Sequence, residues 1–566
     1  MKKHVAAFII IVLIVIGTFW FFPKSFFQQD EWAIFGNMIY TKLTNRNLLG
    51  VILPQSGLSH FTPFTRIVTR LTFDWFGLDF SPYVLMAAVF HTMNSFLLYV
   101  LVYILFGQWY IALFAALLFA ANANTHQATS WLATTIGTEG CAVFLLLSLI
   151  CFFLYLKKKN HMYAYGAAVS WFLSLGFKEN SFFLIGLLPI YLMIRERTVH
   201  IYRNKSLVIS FAIVLALYVG IRLLIAVGAP PPPGPAEAYS QPDLFVLGYR
   251  FIMLPLRSFV QAIVPIQYIL FLSSQLLRLS YPQFLADGKI PDPYIVESVG
   301  ADIVMLFLSL CFFVLVYFLV RRKTLVIRQA VLFCFLYVPL SVVLLILVGG
   351  RAGYASLFEP RNLYYPAIGS SVLVGLLLWE LSTLVGRIFR RFRVVTIFVL
   401  LTGTVIGVNA RLIRQDLRIL AERSIVRKNI LTSIVSVYPK LPENVIFYIE
   451  SDTAYYGFAP EDTILPFQSG IGQTLLVWYY AQGERWPACF FDYNKDYLYA
   501  LESQDYKGCG GRGFGYFRSY TKLLDALREH NISSEAVIAF RWVGGERRLV
   551  DETKKIREAI ARDIRK

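Results

Sequence analysis

Two adjacent carboxylates, Asp30 and Glu31, follow the first apolar segment of the chain, Val5–Phe22. Neighbouring acids repel each other and gain nothing from a bilayer, so a catalytic role explains their position better than a structural one. A carboxylate at a membrane surface can remove the proton from a hydroxyl group that acts as a nucleophile. We therefore take Asp30 as a candidate general base, with Glu31 beside it.

Cations and further acids are expected on the same side of the membrane as this pair. Guanidinium groups bind phosphate bidentately and stabilise the charge that grows on a leaving phosphate. For any one of these residues, a snorkelling charge or a structural ion pair is an equally good explanation. Sugar transfer from a lipid-linked phosphate would use the whole set. The candidates for binding the donor phosphate or the substrate are Arg66, His126, Glu139, Lys178, Glu179, Arg222, Arg351 and Arg361.

Composition identifies the scaffold that must position these residues. Hydrophobic residues make up 57% of the 566 residues and charged residues only 16%, against about 25% charged in soluble proteins. Long apolar runs recur, as in membrane-spanning helices. The sequence predicts an α-helical polytopic membrane protein of eleven spans. After Val5–Phe22 the runs are 82–106, 110–123, 138–156, 162–177, 181–194, 206–227, 300–320, 329–349, 362–384 and 394–409.

The net charge of +18 indicates membrane topology rather than nucleic-acid binding. Fifteen Lys or Arg and one acid lie in four short segments at the ends of apolar runs, as the positive-inside rule expects of cytoplasmic loops. The first apolar run ends without a small-x-small cleavage site, so it is predicted to be an uncleaved helix with its N-terminus in the cytoplasm. The basic segments are Lys157–Lys159, Arg195–Lys205, Arg321–Arg328 and Arg387–Arg393.

This topology divides the chain into a transmembrane domain, residues 1–409, and a soluble extracytoplasmic domain, residues 410–566. The transmembrane domain has external loops at 23–81 and 228–299, and two further spans within 246–280 would raise the count to thirteen. We expect the plasma membrane of a prokaryote as the location.

The soluble domain is predicted to be α/β or α+β. Its predicted strands are 445–450, 536–543 and 547–550, and its helices are 521–530 and 552–564. The glycine-rich run 510–515 lacks the strand before it and the helix after it that a phosphate-binding loop needs, so a flexible loop is expected. Cys489 and Cys509 can form a disulfide if this domain is extracytoplasmic.

Four stretches, in the same order along the chain, resemble membrane glycosyltransferases of the C superfamily, in particular the membrane half of TMTC-type and related protein O-mannosyltransferases. Residues 61–65 to 91–94 are similar to the "RPLT … HxxN" stretch of that family, and 125–128 to 137–139 to "HTEA … GRAE". Residues 177–179 match "SKE", and 359–366 match "ERYLYLP". Departures are Thr62 for the usual Arg, Gln127 for a common acid, and an inserted Pro360.

The resemblance implies a polyprenyl-phosphate sugar donor, Asp30 as the base and a hydroxyl-bearing acceptor, which could be a protein, a lipid or a polymer. Direct attack by the activated hydroxyl would invert the anomeric centre. Many enzymes of this kind need no metal for a monophosphate donor, so no metal or other cofactor is assigned. Two alternatives stay open. A lipid-linked glycan flippase should show an internal repeat and a polar path to both faces, and a catalytically degenerate scaffold would present the C-terminal domain.

Overall fold

The computed structural model describes residues 2–45, 61–196, 204–228, 244–280, 299–321, 323–346, 359–388, 393–453, 466–467, 471–492 and 504–564. The chain forms two compact units. The first, here called the membrane unit, comprises Met1–Trp20, Ser56–Thr65 and Leu85–Asp416. The second, here called the C-terminal unit, comprises Phe21–Gln55, Arg66–Val84 and Leu417–Lys566. Parts of the predicted first external loop thus group with the C-terminal residues.

Helices form the membrane unit because its long apolar runs must satisfy their backbone hydrogen bonds internally. Eight of the described helices are long and apolar enough to cross a membrane, or nine if a bent pair counts as one span. The prediction of a polytopic helical membrane protein is confirmed, whereas the number of crossings stays a prediction. The principal helices are Lys2–Thr18, Phe80–Phe106, Trp109–Ala120, Leu132–Lys158, His161–Phe177, Leu184–Glu196, Lys205–Gly228, Leu244–Gln261, Ile266–Ser280, Ala301–Val320, Leu325–Leu340 and Tyr364–Ile388.

The bent pair lies in the segment where the sequence left two spans open. The chain bends by 115° between residues Leu247–Gln261 of the first helix and helix Ile266–Ser280. Two asparagines between other helices satisfy the backbone at this bend. Asn122 Nδ2 donates to the carbonyl of Ala262 at 2.9 Å, and Asn124 Oδ1 accepts from the Ile266 amide at 3.0 Å. Asn124 Nδ2 also donates to the carbonyls of Gln261 and Val264 at 2.5 and 2.7 Å.

The last membrane helix is longer than predicted. Helix Val394–Val437 has 44 residues and does not end near residue 409. Buried residues continue along one face at a spacing of four, at Ile413, Leu417 and Ala421. The amphipathic helical period therefore replaces the apolar run without a break in the helix.

The C-terminal unit contains five strands, β1 Asn444–Ser451, β2 Tyr506–Cys509, β3 Arg512–Phe517, β4 Val537–Val543 and β5 Arg548–Asp551. They form one sheet in the order β2-β3-β1-β4-β5. β1 pairs in parallel with β3 and β4, and the two edge strands are antiparallel. Helices Tyr520–Glu529 and Thr553–Ile564 pack Leu523, Leu527 and Ile560 against one face of the sheet. The predicted strands and helices are confirmed. Further helices of this unit are Gln29–Leu43, most of Pro63–Phe76, and Gly472–Ala481.

The glycine-rich run is a β-hairpin and not the flexible loop expected from sequence. Gly510 and Gly511 form its turn with φ of 59° and 81°, which glycine adopts without steric cost. β2 and β3 pair on either side. Cys489 and Cys509 form a disulfide that ties this hairpin to the short helix Ala488–Phe491.

Candidate active site

Lys178 lies where helix His161–Phe177 ends against helix Leu132–Lys158. A Cβ at Gly140 would come within 2.5 Å of the Phe177 ring, so only glycine permits this approach. Lys178 then adopts an extended conformation, and its Nζ donates a hydrogen bond of 2.9 Å to Thr138 Oγ1. Burial lowers the pKa of Lys178 to about 8.

Charged side chains from the adjacent residue and from residues 359–361 act on this ammonium group. The positive charge of Arg361 also lowers the pKa of Lys178, whereas the carboxylates of Glu179 and Glu359 raise it. Arg361 forms an ion pair with Glu359, and its guanidinium lies 4.4 Å from the centre of the Trp131 ring. The Arg361 side chain is 23% exposed, so part of it is accessible to a ligand.

Glu179 and Arg222 extend the same group of charges. Glu179 Oε1 accepts a hydrogen bond of 2.9 Å from the Phe61 amide and lies 3.8 Å from Arg222 Nη1. Four of the candidate residues therefore belong to one group of charges in the structure. These residues and their carboxylate partner, namely Lys178, Glu179, Arg222, Glu359 and Arg361, are called the charged cluster below.

Glu139 belongs to a buried hydrogen-bond network between three helices. Its side chain is fully buried, and Oε1 accepts a 2.6 Å hydrogen bond from Thr129 Oγ1 and lies 3.3 Å from His91 Nδ1. Asn94 Nδ2 donates to the Tyr364 hydroxyl at 3.1 Å and to the Glu139 carbonyl at 3.0 Å. Among the described residues, Glu139 Oε2 has no hydrogen-bond partner. His91 and Asn94 thus form interhelical hydrogen bonds.

The protons of this network can be assigned in part. His91 Nε2 lies 3.0 Å from the Ala120 carbonyl, which can only accept, so Nε2 carries hydrogen. In the neutral ring, Nδ1 then accepts from the Tyr364 hydroxyl at 2.9 Å. The network fixes the direction of the helix that carries both Thr138 and Glu139, and it thereby positions the hydrogen-bond partner of Lys178.

His126 lies on the connection that precedes this helix. Its Nδ1 is 3.3 Å from Ser130 Oγ, and its Nε2 is 3.3 Å from Asp416 Oδ2. Asp416 was missed because the sequence assigned residues after 409 to the soluble domain. The uninterrupted helical spacing of apolar residues beyond 409 was the signal that could have identified it.

Asp30 and Glu31 lie in the first turn of helix Gln29–Leu43 in the C-terminal unit. Glu31 is buried, and its Oε2 accepts a hydrogen bond of 3.0 Å from the Gln28 amide, which completes a capping box. Glu31 thus has a structural function that its apolar surroundings in the sequence did not indicate. Asp30 is exposed in the same turn, where the positive end of the helix dipole favours a carboxylate.

The remaining candidates differ in what the structure shows of them. Arg66 is half-buried on helix Pro63–Phe76. Arg70, one turn later, donates to Asp74 Oδ2 and Thr41 Oγ1 at 2.6 Å each, so it joins two helices of the C-terminal unit. Arg351 lies outside the described residues.

A second buried charge network was not predicted from the sequence. Arg257 is 1% exposed and pairs with Asp302, while the Tyr249 hydroxyl donates to the same carboxylate. These residues join helices Leu244–Gln261 and Ala301–Val320. The arginine in an otherwise apolar segment and the acid at the start of the next run were the available signals.

The charged cluster can bind a phosphate and disperse its charge. It combines an ammonium of lowered pKa, a stacked and partly accessible guanidinium, and a second guanidinium held by a carboxylate. Among the described residues, no group of three or more His, Cys, Asp or Glu side chains is arranged to hold a metal ion.

The sequence matches no protein-family profile and is not significantly similar to any curated protein. Among solved structures, the chain is similar to ArnT from Cupriavidus metallidurans bound to undecaprenyl phosphate, with 14% identity and a TM-score of 0.42 over 95% of this chain and 92% of ArnT. It is also similar to the Archaeoglobus fulgidus oligosaccharyltransferase tethered to an acceptor peptide, with 13% identity and a TM-score of 0.35 over 74% of this chain and 55% of that one. The apo form of that oligosaccharyltransferase gives 14% identity and a TM-score of 0.32.

Proposed function

We propose that this chain is a membrane glycosyltransferase of the C superfamily that moves a sugar from a polyprenyl-phosphate donor to an acceptor hydroxyl on the extracytoplasmic face. The observation that carries the proposal is the charged cluster. The charge of Arg361 acts on Lys178, and a third cation, Arg222, lies 3.8 Å from Glu179, which also acts on Lys178.

In this mechanism Lys178 and Arg361 bind the donor phosphate. The planar guanidinium of Arg361 is kept in place by Glu359 and by the Trp131 ring, so it can offer two parallel N–H groups to phosphate oxygens. As the bond between the sugar and the phosphate breaks, both cations stabilise the negative charge on the leaving phosphate. Arg222, held by Glu179, adds a third positive charge.

Asp30 is the proposed base, with Glu31 beside it. The Asp30 carboxylate removes the proton of the acceptor hydroxyl, whose oxygen attacks the anomeric carbon while the phosphate leaves from the opposite side. One bond forms and one breaks, so the anomeric configuration inverts. His126 and Arg66 are proposed to line the substrate site, whereas the fully buried Glu139 is proposed to position the helix that carries Thr138. Arg351 is kept as a candidate phosphate ligand from sequence.

The experiment is a transfer assay with the purified chain and a panel of polyprenyl-phosphate sugars, scored by donor consumption and by the anomeric configuration of the product. We expect one donor to be consumed, and we expect Lys178→Ala with Arg361→Ala to abolish consumption. Transport of a lipid-linked sugar across proteoliposomes without a new covalent product would support a flippase instead. Failure to consume any donor in the panel would contradict the proposal.

A further inference from the structure

A cavity of about 550 Å³ opens in the membrane unit between helices Lys2–Thr18, Trp109–Ala120 and Val394–Val437. Its wall is apolar. Along the third helix it extends from Val399 to Arg414, sixteen residues whose ends lie about 22 Å apart at about 1.5 Å per residue. This groove, called the helix groove below, has the length of a hydrocarbon chain rather than of a compact ligand. Its lining includes Leu13, Ile14, Phe114, Leu117, Val399 and Ile406.

Two glycines of the third helix create this space. Gly403 and Gly407 are one turn apart and line the same groove, and a Cβ at either position would meet no heavy atom within 4 Å. Neither glycine is therefore needed for close packing against another described part of the chain. Glycine in a helix is less favourable than alanine by about 1 kcal/mol, so a requirement for open space is a physical reason to have it here.

Positive charge is confined to one end of the helix groove. Arg411 and Arg414 line this end, and no acidic residue lines any part of the groove. Arg414 Nε donates to the Gly17 carbonyl at 2.7 Å, which fixes the side chain at the mouth. Arg411 forms no hydrogen bond or ion pair with any of the described residues. Two guanidinium groups at the end of an apolar channel are complementary to a phosphate on a hydrocarbon chain.

The charged end of the helix groove is also linked to the candidate site. Asp416, two residues after Arg414, pairs with His126 at 3.3 Å. The connection that carries His126 leads directly into helix Leu132–Lys158, which carries Thr138 and Glu139. A lipid phosphate at Arg411 would therefore lie on the same side of the membrane unit as His126.

We propose that the helix groove is a second lipid site, separate from the donor phosphate site at Lys178 and Arg361, and that it holds the chain of sugar-free polyprenyl phosphate with its phosphate on Arg411 and Arg414. The proposal rests on the proposed function and adds where the carrier lies once its sugar has been transferred. A single apolar channel with cations at one end fits a lipid that has one chain and a monophosphate. A glycerophospholipid would leave its second chain outside the groove.

The test fills the groove without disturbing the packing. Gly403→Leu and Gly407→Leu place side chains in open space, so the variants should fold as well as the wild type. Gly220→Leu is the matched control, because its Cβ also meets no heavy atom within 4 Å but it lies on helix Lys205–Gly228, away from the groove. The probe is sugar-free polyprenyl phosphate, with its binding to the detergent-purified chain measured by native mass spectrometry. Phosphatidylglycerol and inorganic phosphate are the competing ligands, and thermal unfolding reports folding.

We expect both groove variants to bind polyprenyl phosphate at least about tenfold more weakly, with Gly220→Leu unchanged. Arg411→Ala should weaken binding by about tenfold or more, as for the loss of a charge-assisted hydrogen bond. Unchanged binding in the groove variants would overturn the proposal, as would equal binding of phosphatidylglycerol. A dimer that dissociates in the groove variants would show that the groove holds a second copy of the chain.

Transfer activity separates this proposal from the proposed function. If the groove variants lose the lipid but the wild type transfers no sugar from any donor, the lipid site stands and the transferase function fails. If Lys178→Ala abolishes transfer while the groove variants bind and react normally, the transferase function stands and the lipid site fails.

Discussion

Lys178 Nζ donates a hydrogen bond of 2.9 Å to Thr138 Oγ1, the residue directly before the buried Glu139. The ammonium group is thereby held at one position relative to the helix that carries the buried network. Because burial lowers the pKa of Lys178 to about 8, its charge depends on pH within the range in which enzymes are assayed.

This pKa predicts that donor affinity falls as pH rises through about 8, because only the protonated amine attracts phosphate. At pH 9 about a tenth of Lys178 would carry charge when its pKa is about 8. Lys178→Arg should give constant affinity between pH 7 and 9, since arginine stays protonated. The measurement is the dissociation constant of the donor at each pH. Parallel pH profiles for wild type and Lys178→Arg would contradict the assignment.

Unfolding does not explain such a loss, as the sign of the linkage shows. The pKa of Lys178 is lower in the folded chain than its ordinary value of 10.5, so between about 8 and 10.5 the unfolded chain binds more protons. Stability from this group therefore rises with pH across that window. A thermal unfolding series from pH 7 to 9 is the control.

Asp30→Asn should lower turnover about a hundred- to ten-thousand-fold, the usual cost of removing a general base, with little change in donor affinity. Turnover and thermal unfolding of the purified variant are measured together. Glu31→Gln keeps the capping box, since glutamine can accept the same hydrogen bond, and it shows how far the charge of Glu31 contributes. Asp79→Asn is the control, because the exposed Asp79 only accepts a hydrogen bond from the Ser81 amide, which asparagine also accepts. Full activity of Asp30→Asn would exclude it as the base.

Arg361→Ala should weaken use of the donor by about 1.5–3 kcal/mol, the contribution of a hydrogen bond to a charged group. Arg361→Lys should recover only part of this, because an ammonium group cannot reproduce the planar contact with Trp131 and the bidentate geometry. Arg418→Ala, which removes an exposed ion pair with Glu422, serves as the control. Equal kcat/KM in wild type and Arg361→Ala would remove Arg361 from the site.

Tyr364→Phe removes the hydroxyl that accepts from Asn94 and contacts His91. The free energy of unfolding should fall by about 1–3 kcal/mol, because buried polar groups lose their partners. Tyr103→Phe, at a position with no hydrogen bond to the described residues, should change stability little. The measurement is thermal or denaturant unfolding in detergent, and equal losses in the two variants would argue against the network.

The Cys489–Cys509 disulfide closes a loop with a sequence separation of 20 residues. Replacing both cysteines by serine should destabilise the C-terminal unit by about 3 kcal/mol, as the chain-entropy relation gives for a loop of this size. Unfolding of the wild type with and without reductant provides the comparison. If reduction and the double substitution leave the unfolding transition unchanged, the disulfide does not stabilise this unit.

The sequence predicted the elements whose signal is local. Membrane helices follow from continuous apolar runs, and the strand–helix order around Val445 and Val537 follows from alternation and amphipathic period. Lys178, Glu179 and Arg361 were also selected as candidates, because charges at the ends of apolar helices stand out in the sequence. Local sequence patterns do not indicate which side chains pair when their residues are far apart in the chain. His126 with Asp416 and Arg257 with Asp302 each depend on tertiary packing, which periodicity does not encode.

Glu31 illustrates a different limit of sequence reasoning. An acidic pair after an apolar helix suggests chemistry, yet the glutamate closes a cap on the following helix. The capping box could have been recognised from Gln28 and Glu31 only if the start of that helix had been known.

The bend between helices Leu247–Gln261 and Ile266–Ser280 determines an order of assembly. Its open carbonyls are satisfied by Asn122 and Asn124, which precede it by about 140 residues. The bilayer core contains no water that could donate hydrogen bonds to such carbonyls, so a kinked segment is tolerated only where protein already supplies the donors. During synthesis these two amides leave the ribosome well before the bend does. The segment that carries Asn122 and Asn124 therefore serves as the template on which residues 244–280 pack as they enter the bilayer.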